Sequence, residues 1–257
     1  MTTFAEEFFS HFDENWQEVD MLIKIIDEMN DSDYKIKTYC RIISVLMVAN
    51  LEGYLTEIVR MLIKDINYYG SFSSSNNVMK RTFCSQFIPD EKGNEGRLTK
   101  LVETFDGLDV KFNDEPFVFY NKNPKVTVID KLFSRVGGEN FLGYISQGDI
   151  DDVFQNDLSE NEKYIKELKR RIEVGIKLFP YDINLNGLGF NDKPKKIKEC
   201  LWGSFIDEIL KNRHAVAHGM TFNGNLNINI LKEQKLKIVI LELVFTILVF
   251  KVAINRK

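Results

Sequence analysis

The stretch with the clearest capacity for chemistry is LKNRHAVAHGM, at residues 210–220, which holds two of the three histidines in this 257-residue chain. Arg213, His214 and His218 lie close together within it. A guanidinium grips phosphate oxygens through two parallel hydrogen bonds, and an imidazole exchanges a proton near neutral pH. These residue types together suggest a site that acts on a phosphodiester.

Helical spacing limits how these side chains can cooperate. On an ideal helix Arg213 and His218 are about 140° apart, whereas His214 and His218 share a face. One helix therefore directs Arg213 and His218 at the same small ligand only if it bends or if a second copy of the motif faces it.

Two other interpretations of the motif stay open at this point. The three side chains could close the C-terminus of a helix and find partners in the interior, since the helix dipole favours cations there. The HxxxH spacing could bind zinc, but HExxH is absent and no acid or cysteine stands at a suitable offset. The sequence therefore predicts no metal site.

Composition indicates an ordinary globular protein, with 44% hydrophobic and 28% charged residues. The net charge of −4 excludes a global positive field, although basic residues cluster between 163 and 198. The three cysteines lack CxxC spacing, which predicts reduced thiols in a cytoplasmic protein. Lys237, Glu242 and Lys251 interrupt the apolar C-terminal stretch, so we expect a buried core helix there and no membrane span.

The elements that must position the motif are predicted to be helices. All five prolines lie between residues 89 and 194, and both proline-free flanks show apolar residues at three- and four-residue steps. Thr3 is expected to cap the first helix, and Ser159 with Glu162 to form a capping box before the third. Long helices are predicted over residues 3–29, 34–66, 160–179, 195–218 and 231–254.

The predicted architecture is an all-α helical bundle with a long N-terminal helix pair and a mid-chain insertion. Residues 1–70 and 159–257 are expected to form a discontinuous helical core. Residues 71–158 are dotted with glycine and proline, and are expected to be an insertion of short helices and loops.

Two stretches carry a resemblance to a known superfamily. EILKNRHAVAHG, at 208–219, resembles the RxxxxH signature of the HEPN superfamily (higher eukaryote and prokaryote nucleotide-binding domains). VLMVANLEGYLTEIV, at 45–59, is similar to the LExYL-type helix of a bacterial branch of HEPN-like nucleases found among defence and toxin–antitoxin genes. The resemblance in plan covers the flanks 1–70 and 160–257.

The resemblance implies a metal-independent endoribonuclease without a cofactor, which acts as a homodimer with both motifs meeting across a two-fold cleft. His218 would be the general acid or base for attack by the RNA 2′-OH, giving a 2′,3′-cyclic phosphate. Arg213 would stabilise the charge that grows on the phosphate. His214 occupies a variable position of the motif, and we expect it to support these residues, with contact to RNA as the alternative. Asn212 is expected either to donate to phosphate or to lie on the helix surface without a role.

Further residues are assigned supporting or RNA-binding roles. Glu52 interrupts an apolar run, and a buried carboxylate needs a partner. We expect that partner to be Arg213, which Glu52 would orient, and a partner elsewhere is the alternative. Basic side chains that could contact the RNA backbone are Lys169, Arg170, Arg171, Lys195 and Lys196.

The predicted function is an RNA-cleaving toxin or antiphage-defence effector in the cytoplasm, with RNA as substrate and a possible antitoxin or defence-system partner protein. The alternative is a catalytically inactive HEPN dimer that binds RNA or protein. A nucleotide-binding regulator is disfavoured, because GLGF at 187–190 lacks a following GK[ST].

Overall fold

The computed structural model describes residues 2–29, 33–120, 122–196, 200–218 and 227–253. Over these ranges the chain is all-α, with ten α-helices, one 3₁₀ helix and no strand, which confirms the predicted fold class. The α-helices are α1 (Phe4–Ser10), α2 (Glu14–Glu28), α3 (Asp33–Tyr69), α4 (Asn77–Cys84), α5 (Glu95–Leu108), α6 (Val126–Arg135), α7 (Phe141–Ile145), α8 (Leu158–Gly175), α9 (Leu201–Ala217) and α10 (Ile228–Ala253), and the 3₁₀ helix covers Asp149–Phe154.

The first predicted helix is in fact two helices, α1 and α2. Thr3 caps α1 as expected, its side chain accepting a hydrogen bond from the Glu6 backbone N–H at 3.0 Å. The helix ends at His11, because the backbone N–H groups of His11 and Phe12 bond three residues back instead of four. Such tightened turns interrupt the α-helical ladder and separate the two helices.

Two predicted helix starts were wrong. The capping box of α8 uses Asp157 and Glu160, not Ser159 and Glu162, so the helix begins slightly earlier. Helix α9 begins only at Leu201, after an N-cap at Cys200. The backbone N–H of Lys195 donates to Gly143 O at 2.9 Å, which holds that residue in an extended segment against α7.

Helix α10 forms the centre of the core, as expected for the apolar C-terminal stretch, and every residue from 238 to 250 is buried. It runs parallel to α3. Tyr54 of α3 shares a 2.8 Å hydrogen bond with Thr246, and Asn76, beyond the end of α3, donates to the carbonyls of Val252 and Ala253. Thus α3 and α10 begin at the same end of the bundle.

Helix α9 runs antiparallel to α10. Its beginning lies near Lys237, since Trp202 packs on Phe154 at 4.9 Å and the Lys237 ammonium lies 5.3 Å from the centre of the Phe154 ring. Its middle lies further back along α10, where Gln234 donates to Glu208 at 3.3 Å. The end of α9 therefore reaches the end of the bundle where α3 and α10 begin.

The segment 71–158 shares the hydrophobic core of the flanks. Phe141 packs on Phe245 of α10 at 5.5 Å, and α6 contacts both α3 and α9. This packing agrees with a segment that is not an independent domain. The division of the chain into a discontinuous core and an insertion stays a prediction.

Helix α3 is the one described helix long and apolar enough, from Tyr34 to Tyr69, to cross a membrane by length and composition alone. Half of its most apolar stretch is buried inside the bundle. It contacts α1, α2, α9 and α10, which are the contacts of a core helix.

Candidate functional site

The predicted catalytic residues lie at the C-terminal end of α9, with Arg213 just before its last turn and His218 as its C-cap. Arg213 and Asn212 are half-buried, whereas His214 and His218 are exposed. His218 ends the helix, and its backbone N–H bonds to the His214 carbonyl at 3.1 Å. Both imidazoles can therefore be reached from solvent.

His214 and His218 share a face, as their spacing predicted. Their ring centroids are 4.2 Å apart and the ring planes are inclined by 56°. Among the described residues, neither imidazole and no atom of the Arg213 guanidinium has a hydrogen bond or ion pair with another side chain. The interior partners that a purely structural role would require are thus not found in this part of the chain.

The position of α9 places the motif at the shared end of four helices. Helix α2 ends there, since Asp27 forms an ion pair with Lys232 of α10, and α3 and α10 begin there. Three basic residues on the first turns of α3 belong to the same end: Lys35, Lys37 and Arg41. These three residues were not predicted to belong to the site, although they stand close together in the stretch DYKIKTYCR.

Glu52 lies far from Arg213 within one protomer. Glu52 precedes Tyr54, which bonds Thr246 of α10, by two residues, so it is level with residue 244 of α10. Arg213 follows Glu208, which bonds Gln234, by five residues, so on the antiparallel α9 it is level with residue 229. At 1.5 Å per residue these levels differ by about 20 Å along the bundle. No ion pair joins the two side chains within the described chain, and Glu52 is half-buried, not buried. The expected Glu52–Arg213 pair is therefore not formed.

In the part of the chain that the structure describes, two other carboxylates are buried. Glu242 of α10 is 1% exposed, accepts a hydrogen bond from Trp16 Nε1 at 3.1 Å, and its Oε1 has no partner among the described atoms. Burial raises the pKa of Glu242 well above its usual value. Asp65 of α3 is fully buried. Glu242, like Glu52, interrupts an apolar run in the sequence, so the same pattern indicates a buried carboxylate there.

The predicted RNA contacts on α8 are engaged in ion pairs. Lys169 binds Asp13, and both Arg170 and Arg171 bind Glu167, which lowers the pKa of that carboxyl to about 2. Arg171 also donates to two backbone carbonyls of the loop after α8. These side chains hold the α8 surface together.

Lys195 and Lys196 lie at the other end of α9. Lys195 donates to the Gln147 carbonyl at 2.7 Å, and Lys196 is exposed. Both precede the helix, so its length, about 25 Å, separates them from His218. The structure therefore does not bring the five predicted RNA contacts around the motif.

The described residues contain no group of three or more His, Cys, Asp or Glu side chains that could hold a metal ion. The site consists of the Arg213 guanidinium and the two accessible imidazoles of His214 and His218, at the end of the bundle where the basic first turns of α3 lie. Such a surface can bind a phosphate and exchange protons with it.

The protein is an all-α bundle with an RxxxxH motif at the end of α9. These two features together are those of a HEPN-like protein. The chain belongs to the RiboL-PSP-HEPN family, whose sequence model matches residues 10–171. No curated protein and no solved structure matches the chain.

The matched range differs from the one that carried the resemblance. It includes residues 71–158, which were expected to lie outside the resemblance, and it ends before Arg213. HEPN domains are generally of ribonuclease type, so family membership supports a nuclease or RNA-binding module at that level of detail.

Proposed function

We propose that this chain is a metal-independent endoribonuclease that acts as a homodimer, with a composite site built from Arg213 and His218 of both copies. The observation that carries the proposal is the cluster of half-buried Arg213 and exposed His214 and His218 at the end of α9, where none of the three side chains has a hydrogen bond or ion pair with another side chain among the described residues. Polar groups without such partners remain available to bind a ligand.

The chemistry follows from the residue types. His218 acts as general base and takes the proton of the RNA 2′-OH, whose oxygen attacks the adjacent phosphorus. The 5′-oxygen leaves and accepts a proton from an acid, which gives a 2′,3′-cyclic phosphate and a 5′-OH end. Arg213 stabilises the additional negative charge on the phosphate oxygens. His214 and Asn212, on the same turn, support these two residues.

A second copy is needed because of the helix geometry. Arg213 and His218 point about 140° apart around α9, so one protomer does not converge them on one phosphate. Exposed apolar side chains on α2 and on the first three turns of α3 offer a surface for association. They are Met21, Ile25, Tyr34 and Ile42, which are 56%, 37%, 77% and 44% exposed.

The biological role proposed is that of a toxin or antiphage-defence effector, which acts on cytoplasmic RNA and is restrained by a partner protein. This role is supported by the similarity of the α3 sequence to HEPN-like nucleases of defence and toxin–antitoxin genes. A catalytically inactive dimer that binds RNA or protein is the second candidate. It is favoured by the family match, which ends at residue 171 and does not include the motif.

The two candidates differ in RNA cleavage without metal. The wild-type chain is incubated in EDTA with RNA and with DNA of the same sequence, beside Arg213→Ala, His218→Ala and the control His11→Ala. We expect wild type and His11→Ala to cut RNA only, and the other two to lose about 10²–10⁴-fold in rate. Equal cleavage by all four proteins would exclude the composite site, and no cleavage by wild type would favour the binding module.

A further inference from the structure

The two imidazoles at the end of α9 form a pair that the proposed chemistry does not fully use. Their centroids lie 4.2 Å apart, both rings are exposed, and neither has a hydrogen-bond partner among the described residues. The third histidine, His11, differs, since its Nδ1 lies 2.9 Å from Glu14 Oε2.

This arrangement fits the coordination of one transition-metal ion. Imidazole nitrogens are preferred ligands of Zn²⁺, Ni²⁺ and Cu²⁺. Two imidazole nitrogens that each bind one ion at about 2.1 Å are at most about 4.2 Å from each other. Rings whose centroids lie 4.2 Å apart can bring one nitrogen each to within that distance. Residues four apart on a helix are neighbours, so the backbone already holds the two ligands together.

The location of the pair also affects the affinity for a cation. The last carbonyls of a helix carry a partial negative charge, which favours a cation near His218. The neighbouring Arg213 guanidinium opposes it. Because only two protein ligands are present, water completes the coordination, and we expect the ion to bind reversibly.

We propose that His214 and His218 chelate a borderline transition-metal ion such as Zn²⁺ or Ni²⁺, and that the bound ion inhibits the site by occupying His218. The inhibitory part rests on the proposed nuclease function, because a metal-bound imidazole has no free nitrogen to accept the 2′-OH proton. The chelation itself does not depend on that function.

The binding is tested with Ni²⁺ by isothermal titration calorimetry on the untagged full chain. The variants are His214→Ala and His218→Ala, and the matched control is His11→Ala. His11 and Glu14 are the other pair of side chains that could bind Ni²⁺, and the control removes that pair. Loss of even an outer-shell partner weakens metal binding about 10- to 100-fold, so we expect at least about 10-fold weaker binding in each pair variant. Wild type and His11→Ala should bind equally, and circular dichroism verifies that each variant is folded.

Equal Ni²⁺ binding by wild type and His214→Ala would overturn the proposed site. The regulatory part is tested separately by adding Ni²⁺ to the RNA cleavage reaction after removal of EDTA. Inhibition of wild type is expected, and unchanged cleavage at saturating Ni²⁺ would overturn the inhibitory role. If wild type does not cleave RNA at all, the proposed function fails, while the calorimetric result still decides the metal site.

Discussion

Trp16 of α2 donates its indole N–H to Glu242 of α10 at 3.1 Å, deep in the core. Thr246, one turn further along α10, donates its hydroxyl to the Glu242 backbone carbonyl and shares a hydrogen bond with the Tyr54 hydroxyl of α3. The contact therefore belongs to a small polar network that joins three helices. Since Glu242 Oε1 is buried and has no partner among the described atoms, the carboxyl is expected to hold a proton in the folded state.

The first prediction concerns the pH dependence of stability. Desolvation raises the pKa of Glu242, so the folded state keeps a proton that the unfolded state releases above about pH 4.3. Unfolding then releases a proton, and this group lowers the free energy of unfolding by about 1.4 kcal/mol per pH unit until the folded pKa is reached. Glu242→Gln should therefore make the free energy of unfolding, measured by urea unfolding from pH 5 upward, fall less with pH than it does in wild type.

The matched control for this experiment is Glu233→Gln. Glu233 is on the same helix, but its side chain is 56% exposed and pairs with Lys237 at 3.6 Å. Its replacement should leave the pH slope as in wild type. An unchanged slope in Glu242→Gln would show that the carboxyl ionises without cost in the folded protein.

The second prediction concerns Asp65, which holds the beginning of α1. Its carboxylate accepts the backbone N–H groups of Phe4 and Ala5 at 2.8 and 2.9 Å, and the Tyr181 hydroxyl donates to it. Loss of a buried acceptor costs about 1–3 kcal/mol for the groups left unpaired. Asp65→Ala should therefore lower the free energy of unfolding by at least about 2 kcal/mol.

Asp13→Ala is the comparison for Asp65→Ala. Asp13 pairs with Lys169 at the surface, with its side chain 81% exposed, and exposed pairs contribute about 0–1 kcal/mol. Both variants are compared by urea denaturation at pH 7. Equal stability losses would contradict the role assigned to Asp65.

The third prediction tests the composite site by complementation. Arg213→Ala and His218→Ala protomers are denatured together, refolded as a mixture and assayed for RNA cleavage in EDTA. A mixed dimer retains one guanidinium and one imidazole in the shared cleft, supplied by different chains, so partial activity should return. A site contained within one protomer predicts no recovery above the separately refolded variants.

The fourth prediction separates two candidate RNA surfaces. Lys37 and Arg41 belong to the end of the bundle that carries the motif, whereas Lys195 and Lys196 lie at the opposite end of α9. If RNA binds at the motif, each of Lys37→Ala and Arg41→Ala should lower the slope of log affinity against log salt by about 0.7. Fluorescence anisotropy with single-stranded RNA measures this.

Lys195→Ala and Lys196→Ala serve as the comparison for the α3 variants. These lysines were predicted from sequence to contact RNA, and they remain candidates until they are measured. A reduced salt slope in this pair, with normal binding by the α3 variants, would move the RNA surface to the start of α9.

Much of the secondary structure could be predicted from sequence because helical periodicity is local. The apolar steps in α3 and α10 recur every three or four residues, which predicts long helices whatever they pack against. The same local rule correctly placed His214 and His218 on one face. The predicted helix start was wrong where two nearby residues can both act as N-cap. In α8 the N-cap is Asp157 and not Ser159, so the helix begins earlier than predicted.

Only the tertiary structure decided which residues meet between helices. Sequence assigned Glu52 to Arg213, but the register of α3 and α9 along α10 separates them, and Glu242 became the buried carboxylate instead. The register between helices is set by packing and by contacts such as the one between Glu208 and Gln234. The apolar periodicity of a single helix carries no information about such contacts. By itself, the sequence determined the helices and the chemical character of the motif, and packing determined the neighbours of that motif.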